Sequence, residues 1–245
     1  MADRARAPVA RPMTATALVS GGKDSVYAAY LADTQGWPVD ELVTLVPEDP
    51  DSMLYHTPNL DWVALQAEAW GKRHRSVRVE GRSEAAELAA LTSALAGGRG
   101  PVVAGAIASS YQWARLLRVA DALGRRAYTP LWRKDPGRVV REEISAGLDI
   151  RLIHLAAEPL TVELLGRRLD LGLLAELERR SRSVRRLNVA GEGGEYETLV
   201  VDAPFFRSRI ELDRTEEEVT GSTARLVVRG AHLESKAVAR GESAK

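Results

Sequence analysis

The first half of the chain alternates short apolar runs with stretches of helical periodicity. Ala17-Leu18-Val19 is a compact run that stops at Ser20-Gly21-Gly22, which predicts a buried strand ending in a tight turn. Val26, Ala29 and Tyr30 then fall at helical spacing. Leu42 to Val46 predicts a second strand, and Leu60, Val63, Ala64 and Ala67 mark a helix face that Gly71 would stop. Val77 to Val79 reads as a short third strand. Leu88, Leu91 and Leu95 follow on one helix face, closed by Gly97-Gly98. Pro101 to Ala104 is a fourth strand, Leu116, Ala120 and Leu123 lie on the helix after it, and Ala127 to Leu131 is a fifth strand. Strands that alternate with helices, each connection long enough for a crossover, predict a parallel α/β sheet. Ligands of such sheets bind beyond the carboxyl ends of the strands, where strand order reverses.

Beyond about Trp132 the pattern changes. A helix around Val139 to Ile144 ends near Gly147, Ile150 to Leu155 reads as a strand, and Leu160 to about Arg180 reads as one long helix. The loop Gly191-Glu192-Gly193-Gly194-Glu195 precedes strands at Thr198 to Val201, Ile210 to Leu212 and Arg225 to Val228. This mixture predicts a second, smaller α+β domain packed on the first.

Composition narrows the function classes. The 245 residues are 45% hydrophobic and 28% charged, with 34 basic against 34 acidic side chains. No global field steers the chain to nucleic acid or membrane, so direct nucleic-acid binding is not expected. With no cysteine, disulfides, thiolate metal sites and cysteine nucleophiles are excluded. The four histidines, His56, His74, His154 and His232, have no metal-ligand spacing, and the metal ligands stay unassigned. No run approaches the roughly 18 apolar residues of a membrane helix. Residues 1–13 lack the apolar centre of a signal peptide, so they are expected to be a disordered tail and the compartment to be the cytoplasm.

The sharpest chemical signal is Ser20-Gly21-Gly22-Lys23-Asp24-Ser25 between a strand and a helix. Glycines let backbone turn tightly around an anion, and a helix N-terminus offers unpaired N–H groups and positive dipole. Lys23 is expected to bring positive charge to phosphate oxygens, and Ser20 and Ser25 to bring hydroxyl donors. Asp24 can cap the helix or orient a magnesium ion carried by a nucleotide. The spacing is neither that of a Walker A loop nor G-x-G-x-x-G. A glycine turn with a surface lysine is the bland alternative.

This signature resembles the PP-loop ATP pyrophosphatases, which split ATP to AMP and pyrophosphate. Three further segments narrow the likeness: Tyr55-His56-Thr57-Pro58-Asn59, Gly105-Ala106-Ile107-Ala108-Ser109-Ser110-Tyr111-Gln112 with Arg115, and Gly191-Glu192-Gly193-Gly194-Glu195-Tyr196-Glu197-Thr198. In this order they resemble the diphthine–ammonia ligase family, over roughly residues 14 to 212. Leu131-Trp132, Ser145-Ala146-Gly147-Leu148-Asp149 and Asp202-Ala203-Pro204-Phe205-Phe206 are also similar to that family.

The resemblance implies a sheet of order 3-2-1-4-5 of the adenine-nucleotide alpha-hydrolase (PP-loop) type. It implies a PP-loop ATP-binding domain at 14–131, a substrate-binding domain at 132–235 and a polar tail at 236–245. It implies ATP, with Mg2+ carried by the nucleotide, as the cofactor set. The diphthine form of translation elongation factor 2 would be the protein substrate, ammonia would come from solution, and a homo-oligomer is left open. The carboxylate of diphthine would be activated as an acyl-adenylate and attacked by ammonia. The chain resembles the short, archaeal-like form.

Under this resemblance Lys23, Asp24 and Glu195 are the catalytic candidates. Ser20, Gly21, Gly22, Lys23, Asp24, Ser25 and Gly105 would bind ATP. His56, Thr57, Asn59, Ser110, Tyr111, Gln112 and Arg115 would meet the substrate, with Gly193, Gly194, Glu195, Tyr196, Glu197 and Thr198. The carboxylates of the glycine-rich turn could hold magnesium, orient ammonia or face the trimethylammonium group of diphthine, and Tyr196 could add a cation–π contact to that group. Read without the family, that turn is a solvated acidic hairpin, and Ser109 is a helix N-cap. Arg179, Arg180, Arg182, Arg185 and Arg186 form either a solvated basic face or a docking patch. A PP-loop enzyme of tRNA or a small metabolite is one alternative, and a non-catalytic nucleotide-binding module is another.

Overall fold

The computed structural model describes residues 13–48, 60–156, 158–183 and 187–236. Its first half is a five-stranded parallel sheet of β1 (Ala15–Leu18), β2 (Val39–Pro47), β3 (Arg73–Val79), β4 (Val102–Val103) and β5 (Ala127–Tyr128) in the order β3-β2-β1-β4-β5. Crossover helices α1 (Lys23–Thr34), α2 (Val63–Trp70), α3 (Glu84–Leu95) and α4 (Ser110–Ala122) connect them. The second half holds α5 (Pro136–Ser145), α6 (Leu171–Ser183) and an antiparallel sheet. That sheet has β6 (Asp149–Leu155), β7 (Tyr196–Asp202), β8 (Ser208–Thr220) and β9 (Thr223–Ser235) in the order β7-β6-β9-β8. The expected α/β architecture with a smaller α+β part is therefore observed.

The chain order puts β1 between β2 and β4, with Ala17 opposite Leu42 on one side and Val103 on the other. Connections leave β1 in one direction and β4 in the other, so a crevice opens beyond their carboxyl ends. Two apolar clusters cover the parallel sheet. One, with Val43, Leu45, Val79, Leu91, Leu95, Val102 and Leu116, is built with α3 and α4. The other runs from Ala17, Val26 and Ala28 through Leu131 and Val140 into Ile150, Leu152, Leu199 and Val200 of the second sheet.

Local stops follow ordinary chemistry. Gly71 takes the left-handed conformation that ends α2, and Ser83 and Asp135 cap α3 and α5 through their side chains. Two expected elements are corrected. The single helix from Leu160 to Arg180 is a 3-10 turn at Val162–Leu164, an extended segment and then α6. Gly166 at φ 71° breaks the run, and Asp170 accepts from Leu173 N at 2.8 Å to start a new helix. The strands expected at Ile210 to Leu212 and Arg225 to Val228 are the cores of a much longer hairpin, 13 residues a side. Beyond Leu212, β8 is mostly charged and exposed, so apolar alternation does not announce its length.

Candidate functional site

The Ser20–Ser25 loop joins β1 to α1 at the crevice. Gly21 sits at φ 85°, a left-handed conformation that disfavours side chains. Gly22 is the N-cap of α1 and supplies no side-chain cap, which leaves that helix end suited to an anion. Ser25 ties the loop together: its Oγ accepts from Ser20 N at 3.2 Å and donates to Gly22 O at 3.0 Å. Gly105 is required by close approach, since a Cβ there would lie 2.5 Å from the Asp24 carbonyl carbon.

An open pocket lies against this loop. Ser20, Gly22, Asp24, Ser25 and Gly105 line one side, and Gln112 and Arg115 of α4 reach it from another. Its remaining wall is apolar, from Leu18, Val43, Leu45, Leu91 and Leu116. Glu192 of the second half also lines it, and the Glu192 Oε2 accepts from Ala108 N at 3.0 Å, across the two halves. Ser109 is the N-cap of α4, accepting from Gln112 N at 3.3 Å, so its bland reading holds. Ser110 is exposed at the helix start. The Arg115 guanidinium lies over the Tyr111 ring at 3.1 Å and pairs with Glu84 at 2.5 Å. The Arg115 Nε is buried with no hydrogen-bond partner among the described residues.

Lys23 departs from expectation. It is 2% exposed and does not line the pocket among the described residues. Its Nζ donates to Asp24 Oδ1 at 2.9 Å, Asp24 Oδ2 at 2.7 Å and Ala190 O at 2.7 Å, and it lies 5.8 Å from the centre of the Tyr196 ring. Burial opposes the charge, but Asp24, with help from Glu143, more than offsets it and raises the Lys23 pKa above its ordinary value. Lys23 is thus packed behind the loop, and the expectation of a residue placed for phosphate charge alone is corrected.

The glycine-rich turn divides its three carboxylates. Glu192 faces the pocket. Glu195, 7% exposed, folds back on its own turn and accepts from Asn188 N and Gly193 N, both at 2.9 Å. Glu197 is directed to His154 of β6, with Oε1 3.8 Å from Nδ1. Of the turn's carboxylates the one that lines the pocket is therefore Glu192, while the residue singled out for catalysis, Glu195, organises the turn. Gly194 supplies φ 82° there, and a Cβ on Gly193 would meet Glu195 Oε1 at 2.7 Å. Tyr196 is buried, its hydroxyl donates to Val189 O at 2.7 Å, and burial raises its pKa. Neither its ring nor its hydroxyl is presented to the pocket.

Thr198 does approach the loop: its Oγ1 accepts from Lys23 N at 3.1 Å. Beside it, Val200 N donates to Gly21 O at 3.0 Å. The Ser20–Ser25 loop thus caps the edge of the second sheet at β7. Gln66 of α2, 1% exposed, completes the junction by donating to Gly21 O at 2.9 Å and Val200 O at 2.7 Å.

His56, Thr57 and Asn59, like Arg185 and Arg186, lie outside the described residues. Two residues escaped the sequence reading, Gln66 and Glu143. Glu143 is fully buried, and burial, then the charge of Asp24, raises its pKa well above the carboxylate range despite nearby Lys23. A hydrogen bond between its side chain and that of Asp24 adds to the shift. A signal existed: Glu143 falls on the helix face of Val139 and Val140, where a carboxylate does not belong unless something answers it. Among the described residues no group of three or more His, Cys, Asp or Glu side chains could hold a metal ion. No described helix is long and apolar enough to cross a membrane.

A glycine loop at a helix end, an apolar wall and a carboxylate from a second half together suit a nucleotide and a second reactant. Comparison with known proteins bears on which. Residues 13–127 match the family model described as diphthamide synthase N-terminal domain, and residues 135–232 match diphthamide synthase C-terminal domain. The chain is 33% identical to a diphthine–ammonia ligase of Schizosaccharomyces pombe, over 84% of this chain and 37% of that one. It is 31% identical to that of Rattus norvegicus, over 91% and 94%, and 30% identical to that of Homo sapiens, over 86% and 87%. The chain spans little more than a third of the yeast relative but nearly all of the rat one. Two adjoining matches that between them take in both sheets, and similarity that extends through the loop and the glycine-rich turn, carry one conclusion: this chain belongs to the diphthamide synthase family.

Proposed function

We propose that the chain amidates diphthine on translation elongation factor 2 with ammonia, using ATP. The observation that carries this reading is the pocket lined by both the Ser20–Ser25 loop and Glu192. It lets a nucleotide held by the first half meet a reactant held by the second.

In the proposed reaction the diphthine carboxylate oxygen attacks the α-phosphorus of ATP. Pyrophosphate leaves and an acyl-adenylate forms. Ammonia nitrogen then attacks the acyl carbon, AMP departs with the bond's electrons, and loss of a proton leaves the carboxamide of diphthamide. Such a reaction needs placement and charge stabilisation more than covalent help. Backbone amides at the start of α1, with the Ser20 and Ser25 hydroxyls, would hold phosphate oxygens. Gly22 and Gly105 would let them approach. The apolar wall of Val43, Leu45, Leu91 and Leu116 suits the flat face of adenine. Gln112 and Arg115 would meet the substrate side, with Arg115 directing positive charge to carboxylate or phosphate. Asp24 and Glu192, the acidic groups of the lining, would attract ammonium and accept its proton.

Magnesium would enter with the nucleotide, carried on its phosphates. The division into a nucleotide-binding half through residue 131 and a substrate-binding half from 132 to 235 is part of this proposal. So is action in the cytoplasm, where the elongation factor works.

The test is incubation of the chain with ATP, ammonium and the diphthine form of the factor, followed by mass measurement. An ATP-dependent loss of about one mass unit, acid to amide, is expected. ATP binding without any change in that factor would move the reading to a nucleotide-binding module.

A further inference from the structure

We propose that Lys23 is a positioning residue that works from behind the phosphate loop, tying Asp24 to the second half of the chain instead of touching phosphate. The inference rests on the ligase reading for its kinetic consequence, and on geometry alone for its structural one.

Three contacts define the strut. The ammonium holds both oxygens of Asp24 and the carbonyl of Ala190, at 2.7 to 2.9 Å. Its own backbone N–H is held by Thr198 of β7. Ala190 is the residue before the glycine-rich turn, and its N–H donates to Asn188 Oδ1 at 2.9 Å while Asn188 N donates to Glu195. A displacement of that turn therefore reaches Asp24 through one side chain. Asp24 lines the pocket, and Lys23 does not.

Energetics argue that this charge is kept for a purpose. An ammonium withdrawn from water is costly, and a buried ion pair replaced as a whole by apolar side chains often loses no stability. Three short charge-assisted hydrogen bonds offset the cost only while Asp24 and Ala190 stay where they are. The arrangement makes the pocket carboxylate dependent on correct docking of the two halves. A lysine reaching into the pocket would make no such demand.

The test uses the full chain carrying Lys23→Met, which keeps side-chain length and removes charge. Calorimetry with a non-hydrolysable ATP analogue is expected to give a Kd within about tenfold of wild type, because no phosphate contact is lost. The kcat for amidation is expected to fall by about 100-fold, the scale of a misplaced reacting group, at a temperature where the variant, less stable for the unpaired Asp24 and Ala190 carbonyl it leaves, is still folded by circular dichroism. A Kd weakened by more than about tenfold, the scale of losing a direct charged contact, would overturn the proposal, and so would an unchanged kcat. Analogue binding is read without the protein substrate, so an inactive wild-type chain would count against the ligase reading and leave the strut testable by affinity. Amine footprinting of the wild-type chain by mass spectrometry covers a variant that does not fold. Lys23 is expected to resist modification with and without the analogue. Modification in the free chain that the analogue suppresses would put the ammonium in the pocket and sink the idea.

Discussion

At Gly105 a methyl group has nowhere to go. An added Cβ would stand 2.5 Å from the carbonyl carbon of Asp24 and 2.7 Å from Ser25 N, both backbone atoms of the loop proposed to hold phosphates. Gly105→Ala is therefore expected to cost about 1–3 kcal/mol in stability and to weaken ATP-analogue binding by about tenfold or more. Melting and calorimetry check both, and wild-type affinity in the variant would mean that the loop yields freely. Glu143 makes a different demand. Its folded pKa is raised above the ordinary value of 4.5, so between those two values the folded chain binds more protons than the unfolded one. Its contribution is complete below pH 4.5 and is lost as pH rises toward the folded pKa. Glu143→Gln removes that loss, so the Tm of the variant relative to wild type should climb as pH rises from 4.5 toward the folded pKa. A gap that narrows on raising the pH would count against it. At this scale the sequence was legible for glycines and opaque for charges. Gly21, Gly22 and Gly105 announce backbone needs. Nothing local to residues 20–25 reveals that the ammonium of Lys23 turns inward, because its partners Ala190 and Tyr196 come from the far half of the chain.

Among elements, the Ser20–Ser25 loop and β7 meet in a hydrogen-bonded junction. The loop occupies the β7 edge through Val200 N, and Gln66 of α2 bonds to both sides of the seam. Gln66→Leu keeps the volume nearly constant and leaves the Gly21 and Val200 carbonyls without that donor. It is expected to destabilise by about 2 kcal/mol, measured by urea denaturation, and to weaken analogue binding because Gly21 is freed. A variant as stable as wild type would show that Gln66 only fills space. Most elements could be read from periodicity: α1 to α5, β1 and β2 follow their apolar faces, and the Gly-Gly turn marked where the first strand stops, whereas only Val77 to Val79 of β3 could be read because Arg73 to Ser76 are polar. The stretch from Leu160 to Arg180 could not, since Leu160, Leu164, Leu165 and Leu169 are spaced compatibly with one helix. Only the φ of Gly166 and the cap at Asp170 separate it into parts. The β8–β9 hairpin was underestimated because Glu216 and Glu218 pair with Arg229 across it, and cross-strand ion pairs leave no apolar alternation to detect.

For the whole molecule, the apolar core does not respect the two sheets. The larger cluster joins α1 and α2 to β6, β7 and β9. Phe205, which follows β7, stacks on Tyr30 at 4.5 Å and meets Trp70 at 4.5 Å between ring centres. With the Lys23 strut and the Gln66 seam crossing the same boundary, opening one half would expose the buried face of the other. Shared burial of this kind makes unfolding all-or-none. The chain supplies its own probes, because all five tryptophans, Trp37, Trp62, Trp70, Trp113 and Trp132, lie at or before residue 132. Tryptophan fluorescence therefore reports mainly the first half and its seam with the second, where Trp70 meets Phe205, whereas far-ultraviolet circular dichroism also reports β6 to β9 and α6. The two signals are expected to trace one urea transition with the same midpoint. Lys23→Met should leave the transitions coincident, since the larger core still joins the halves without the strut. Separated midpoints in the wild-type chain, with fluorescence changing apart from ellipticity, would mean that the halves fold independently. The placement of Asp24 by the second half would then have no cooperative core behind it.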